Sequence, residues 1–338
     1  MKTELIYLLI FPILLFTINI FLKKINFLVE DQSKSTHRKI FSTKSKKIQS
    51  GGVFFTLILL FLLSDQNLYL TLSLILILFL GIFSDIDFIT SPKIRFLFQL
   101  IIISFLIIST STFVEYTKIA ILDNFIQNYF FSLIFSSFCI LILINGCNFI
   151  DGANNLLIGY FLIISGCILY KFNSGEIIFN EINFVIIILS LIILLIFNFL
   201  SITIMGDSGA YVLGLFFGFF LIHLSNINLN ISPIYIVNLL WYPAFENLFS
   251  ILRKIKNVKS ISEPDNFHLH HLVFKIMNKK LITKKYNNSL TGLLINLFNL
   301  ITLSIATIVA NHTLYLTIIL FFNIFIYIFT YILLNKKN

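Results

Sequence analysis

Charge is scarce in this chain. Asp, Glu, Lys and Arg make up 12% of its 338 residues, hydrophobic residues 58%, and the mean hydropathy is +0.97. A soluble domain carries about a quarter charged residues. The polar surface here is too small to coat a globule in water, which excludes a soluble enzyme and a disordered chain. Cysteine is nearly absent. Cys139, Cys147 and Cys167 lie in or beside apolar runs without CxxC spacing, which excludes a disulfide scaffold and reads them as small apolar fillers. The apolar runs lack the polar–apolar alternation of an outer-membrane barrel. No fixed-period repeat and no linker between domains is visible. The first apolar run has no small-x-small cleavage site and meets Lys23 and Lys24 at once, so it reads as an uncleaved anchor.

What is present is a series of long Phe, Ile and Leu runs. About 20 apolar residues span a bilayer, and backbone groups in lipid must be satisfied within the segment, so such runs read as helices. Eleven qualify: Leu5–Leu22, Gly51–Ser64, Leu68–Phe83, Phe96–Val114, Tyr129–Asn145, Leu156–Phe172, Ile182–Leu200, Ala210–Leu224, Ile231–Leu252, Leu290–Val309 and Thr313–Leu334. The expected fold is all-α: a polytopic membrane helix bundle of about eleven transmembrane helices, forming one integral membrane domain over residues 1–338. Orientation follows Lys and Arg. With the N-terminus outside, loops 23–50, 84–95, 146–155, 201–209 and 253–289 and the C-terminal tail face the cytoplasm. Those segments hold every one of the 24 basic residues except Lys2, Lys118 and Lys171. The net charge of +9 therefore reports topology first, and no nucleic-acid partner is expected.

Acidic residues number only fifteen, so their placement is informative. Asp85, Asp87, Asp151 and Asp207 fall at helix ends in three loops on the same expected side. A carboxylate at a membrane boundary is costly unless hydrated, paired or bound to a cation. Several from different loops suit a Mg²⁺–phosphate site, because Mg²⁺ is held by one or two carboxylates plus substrate phosphates. Each is also readable as a solvated loop acid or a helix cap. Their contexts are Gly81-Ile-Phe-Ser84-Asp85-Ile-Asp87, then Asn145-Gly-Cys-Asn148-Phe-Ile-Asp151-Gly152-Ala-Asn154, then Met205-Gly206-Asp207-Ser208-Gly209, then Glu263-Pro-Asp265-Asn-Phe-His268-Leu-His270-His271. Upstream stand His37-Arg38-Lys39 and Lys46-Lys47. Glu246, inside the ninth run, is an intramembrane acid that reads as a functional residue or as a structural pin.

These four motifs, in this order and on one side, resemble the polyprenyl-phosphate N-acetylhexosamine-1-phosphate transferases (glycosyltransferase family 4). That superfamily includes the bacterial translocase making the first lipid intermediate of peptidoglycan. The resemblance runs from His37 to His271. The segment Trp241-Tyr-Pro-Ala-Phe-Glu246-Asn247 looks more like the branch serving O-antigen and related surface polysaccharides. The resemblance implies a multi-pass enzyme of the bacterial cytoplasmic (inner) membrane that moves a sugar-1-phosphate from a UDP-N-acetylhexosamine to undecaprenyl phosphate, releases UMP and depends on Mg²⁺ or Mn²⁺. It leaves room for a homodimer.

The site residues it implies are Asp85, Asp87, Asp151 and Asp207 as catalytic acids, with Asp207 and Asp151 on the metal. Lys47, Asn148, Asn154, Arg253, His268, His270 and His271 would contact substrate. Asp85 is expected to position the lipid phosphate. Zinc at the three histidines is the weaker reading, since no thiolate accompanies them. Lys47 and Arg253 also satisfy the basic-loop rule as plain surface cations. Two positions depart from the pattern: Ser84 stands where the family has the first acid of a pair, and Asn154 where it has a second acid. Asp87 is in place to compensate for Ser84. Two rival readings stay open at this point, a secondary transporter and an inactive relative serving as a scaffold.

Overall fold

A computed structural model of the chain describes residues 2–29, 47–63, 67–179, 181–256, 267–280 and 286–336. His37, Arg38, Lys39, Lys46, Glu263 and Asp265 lie outside the described residues. Among the described residues there are fourteen helices and no strand: α1 Lys2–Lys24, α2 Gly51–Leu63, α3 Leu68–Asp85, α4 Pro92–Thr110, α5 Ala120–Ile126, α6 Tyr129–Ile150, α7 Leu156–Asn173, α8 Glu181–Phe199, α9 Gly206–Ile227, α10 Pro233–Leu239, α11 Trp241–Lys256, α12 Leu269–Lys280, α13 Asn287–Ile308 and α14 Thr313–Lys336. The protein is an all-α, polytopic membrane bundle.

Each of the eleven expected runs contains helix, the fourth ending at Thr110 and not at Val114, but among the described residues only α1, α3, α4, α6, α7, α9, α13 and α14 are long and apolar enough to cross a membrane. α2 and α8 are shorter apolar helices. The ninth run is not one helix. It breaks at Leu240 between α10 and α11, because Pro243 has no N–H for the Leu239 carbonyl and its ring crowds that carbonyl. The expected loop 146–155 begins inside α6, which continues to Ile150, and the expected loop 253–289 carries α12. The short helix α5 has no counterpart among the expected runs.

Local chemistry sets the helix starts. The Asn67 side chain accepts from Leu70 N at the head of α3, and Asn128 accepts from Phe130 N and Phe131 N at the head of α6; both are N-caps that satisfy otherwise orphaned donors. α4 opens with Pro92, whose missing N–H costs nothing in a first turn. α9 is the centre of the bundle. Of its membrane-length window 78% is buried, against 22% for α1 and α14, which places α9 inside and those two against lipid. It packs on α2, α3 and α6. Its first turn lies so close to α3 that a side chain at Gly81 would strike the Ser208 backbone. That contact brings the C-terminal ends of α3 and α6 to the N-terminal end of α9.

Candidate active site

The polar residues of three loops meet at the start of α9. Gly206 has φ +70°, a conformation that favours glycine, and it turns the chain so that three successive amides point outward. Asp151 Oδ2 accepts from Gly206 N at 3.0 Å. Asp85 takes the next two, Oδ1 from Asp207 N at 2.9 Å and Oδ2 from Ser208 N at 3.0 Å. The positive end of α9 is thus held by two carboxylates of the chain itself. A side chain at Gly206 would collide with the Asp85 carboxylate.

Asp207 itself faces the gap between α3, α4 and α6. Its Oδ2 accepts from Ser84 Oγ and, at 2.9 Å, from Arg95 Nη1, and Arg95 also donates to Ser84 Oγ. Its Oδ1 accepts from Asn148 Nδ2 at 2.7 Å. The Arg95–Asp207 ion pair is one-quarter exposed on the arginine side and 16% on the aspartate side, so it is reachable from solvent. Sequence reasoning did not single out Arg95. The signal was an arginine one turn into an apolar helix, where an unpaired cation is costly.

The histidine loop closes over the end of α6. The His268 ring lies 5.0 Å from that of Phe149, next to Asn148, and the rings of His270 and His271 are 4.2 Å apart. Position 152 must be small, because a side chain there would run into His270 Nε2. His270 is fully buried. Burial, with His271 and His268 beside it, holds its imidazole well below the ordinary His range, so it is neutral near pH 7. Glu246, fully buried, faces His268 Nδ1 at 2.9 Å and accepts from Tyr327 Oη at 2.7 Å. Tyr327 on α14 carried no signal in the sequence.

The other expected substrate contacts sit further out. Lys47 is buried at the head of a segment that runs beside residues 203–204: Ile204 N donates to Ile48 O, and Gly51 N to Ile204 O. Asn154 is buried, and its amide donates to Asn198 O at 3.0 Å and Ser201 Oγ at 2.8 Å, while it accepts from Asn288 Nδ2. These bonds tie the loop after α6 to α8 and α13. Arg253 donates to Phe267 O at 2.9 Å and lies over the rings of Phe249 and Tyr331. Asp87 is exposed with φ +59°, beyond the capped end of α3.

The donor set bears on a metal. Among the described residues no three His, Cys, Asp or Glu side chains stand together as a closed cage. Asp207 and Asp151 fit the sparser demand of Mg²⁺, one or two carboxylates completed by phosphate and water. A cavity of about 830 Å³ lined by Asn67, Phe216, Phe220 and His223 includes none of these site residues.

Fold and site together define a multi-pass membrane protein whose polar machinery sits at one end of its helices, unlike the midplane site of a transporter. A family model described as glycosyl transferase family 4 matches residues 67–225, which include Ser84, Asp85, Arg95, Asn148, Asp151 and Asp207. The chain is also 26% identical over 265 residues to a probable undecaprenyl-phosphate N-acetylglucosaminyl 1-phosphate transferase of Bacillus subtilis (strain 168), covering 76% of this chain and 70% of that protein. Residues 67–225 thus match glycosyl transferase family 4, and that match and the relative together support a membrane transferase.

Proposed function

We propose that the protein transfers an N-acetylhexosamine-1-phosphate from a UDP-sugar to undecaprenyl phosphate at the cytoplasmic face of a bacterial inner membrane, starting a lipid-linked surface glycan. The observation that carries this reading is the Asp207 carboxylate, ringed by Ser84, Arg95 and Asn148 where α3, α4, α6 and α9 meet. An oxygen of the lipid phosphate attacks the β-phosphorus of the donor. The bond from that phosphorus to the bridging oxygen breaks, and UMP leaves with the electron pair. Such transfers need positioning and charge stabilisation more than covalent help. The second pKa of a phosphate monoester lies near 6, so the lipid phosphate is mostly dianionic at neutral pH and needs no strong base.

Asp207 and Asp151 are the residues that would hold a divalent cation, Mg²⁺ or Mn²⁺, which supplies positive charge at the diphosphate. Asp85 holds the first turn of α9 and thereby aims Asp207. Asn148 orients the same carboxylate. Arg95, paired with Asp207, is a cation available to phosphate oxygens, and Lys47 is a second basic contact for the substrate. Among the histidines, His268 is the substrate contact, while His270 packs the loop onto Gly152. Arg253 and Asn154 act by fixing the surroundings. The basic residues that the sequence gathers on the loops of this face support a cytoplasmic orientation.

The test is purified protein in lipid nanodiscs, given undecaprenyl phosphate and a panel of UDP-sugars. The expected result is UMP release and a sugar-diphospho-lipid product, both dependent on the acceptor and on a divalent cation, with one UDP-N-acetylhexosamine preferred. Failure to form lipid product with any donor would reject the proposal.

A further inference from the structure

Glu246 is a carboxylate with no exposed surface, inside a segment otherwise built from Trp241, Tyr242, Phe245 and Phe249. An ionised group in such surroundings is costly unless its oxygens are satisfied. Both are: Oε1 lies 2.9 Å from His268 Nδ1, and Oε2 accepts from Tyr327 Oη at 2.7 Å. A carboxylate that accepts from Tyr327 Oη on one oxygen is matched by a second donor on the other, which puts the hydrogen of the first contact on His268. That assigns the imidazole proton to Nδ1 and makes Nε2 the ring atom offered to a ligand. The ring plane is fixed as well, by Phe149 at 5.0 Å and by His270 stacked at 5.6 Å with 8° between planes.

Phe149 follows Asn148, whose amide donates to Asp207 at 2.7 Å. The Glu246–His268 unit is therefore packed on the same end of α6 that orients the acid of the site. The carboxylate on α11 thus joins the residue that leads into α12 and Tyr327 of α14. A packing role alone would be met more cheaply by an apolar side chain of similar volume.

We propose that Glu246 is a positioning residue that fixes the tautomer and orientation of His268, so that Nε2 meets the phosphate-bearing substrate; the second half of this statement rests on the transferase reading above. The experiment uses full-length protein in nanodiscs with ¹⁵N-labelled histidine. Solid-state NMR reads the protonation of each ring nitrogen, and His268 is assigned by its loss in His268→Gln. The wild type should show His268 protonated at Nδ1. Glu246→Gln can turn its amide N–H toward Nδ1 and should move the proton to Nε2. It should lower kcat by roughly tenfold to a hundredfold while KM for the UDP-sugar shifts by less than about threefold, the pattern of a lost orienting contact. Tyr327→Phe removes the other bond to the carboxylate and should leave the Nδ1 proton in place.

A wild-type His268 protonated at Nε2, or a Glu246→Gln spectrum unchanged from wild type, would overturn the proposal. So would loss of the Nδ1 signal in both variants, which would make the triad a packing unit only. A wild type that forms no lipid product yet shows the Nδ1 proton, lost in Glu246→Gln, would defeat the transferase reading and uphold the positioning of His268.

Discussion

Arg95 Nη1 lies 2.9 Å from Asp207 Oδ2, with Ser84 Oγ bonded to both. A neutral hydroxyl thus stands where the resembling family has an acid, and the guanidinium leans on the remaining carboxylate. A cation approaching Asp207 must compete with Arg95 for it. Ser84→Asp offers Arg95 a second carboxylate, so Mn²⁺ binding, read by electron paramagnetic resonance on the purified protein, should tighten by about two- to fivefold, the scale of a partly exposed ion pair. Asp207→Asn keeps the shape and removes the charge. It should weaken Mn²⁺ binding and cut turnover by roughly a hundredfold or more. Near-normal turnover in Asp207→Asn would remove Asp207 from the site, and unchanged Mn²⁺ affinity in Ser84→Asp would show that Arg95 does not compete.

Most of the bundle was legible because lipid imposes length and composition on every span. Leu68–Phe83 and Tyr129–Asn145 needed only their apolar runs to be read as α3 and α6. The break at Leu240 was harder, since Pro233 and Pro243 sit in a run that is apolar from end to end. The site was legible where a motif concentrates polar residues at a helix end, as at Asp151 and Asp207. It was not legible where partners come from distant helices. Arg95 on α4 and Tyr327 on α14 are ordinary members of their own segments, and only packing brings them to Asp207 and Glu246. Asn154 shows the opposite case. Its motif suggested a substrate contact, whereas its amide is engaged by Asn198, Ser201 and Asn288.

Asn154→Asp follows from that network. A carboxylate of the same shape cannot donate to the Asn198 carbonyl or to Ser201, and it faces buried oxygen at close range. An unsatisfied buried polar group costs about 1–3 kcal/mol, more when charged. The thermal midpoint of the detergent-purified variant should fall by several degrees, while KM for the donor in the folded fraction stays near wild type. A large rise in KM without loss of stability would return Asn154 to the substrate.

His270 gives the protein a pH-dependent stability. Its ordinary value is 6.5, and burial lowers it in the folded state. Above that value both states carry neutral His270, and its contribution to stability is complete. As pH falls below 6.5 the unfolded chain takes up a proton that the folded one refuses, so stability drops by up to about 1.4 kcal/mol per pH unit until the folded group titrates as well. His270→Gln stays neutral throughout. Thermal midpoints measured from pH 7.5 to pH 5 should therefore fall less steeply in His270→Gln than in wild type. Parallel slopes would mean that His270 binds its proton equally well in the folded and unfolded chain, and that burial does not lower it.

Asp85 and Asp87 separate two ways of serving the site. Asp85 accepts from Asp207 N and Ser208 N, so its charge lies on the positive end of α9 and its position fixes where Asp207 points. Asp85→Asn keeps one acceptor oxygen but turns a donor toward an amide and removes the charge. Loss of such a cap costs about 0.5–2 kcal/mol, and the displaced first turn carries Asp207 away from Arg95 and Asn148. Turnover should therefore collapse, and Mn²⁺ affinity should fall with it. Asp87 is exposed, and its φ of +59° is one that asparagine also adopts readily. Asp87→Asn should keep its stability and Mn²⁺ affinity and lose at most about tenfold in turnover, 1.4 kcal/mol of barrier. Mn²⁺ titration and steady-state kinetics on both variants decide the matter. Normal Mn²⁺ affinity in Asp85→Asn with turnover abolished would move Asp85 from the support of Asp207 to direct contact with the lipid phosphate. A larger loss in Asp87→Asn would show that the acid two residues beyond the helix carries the task left by Ser84.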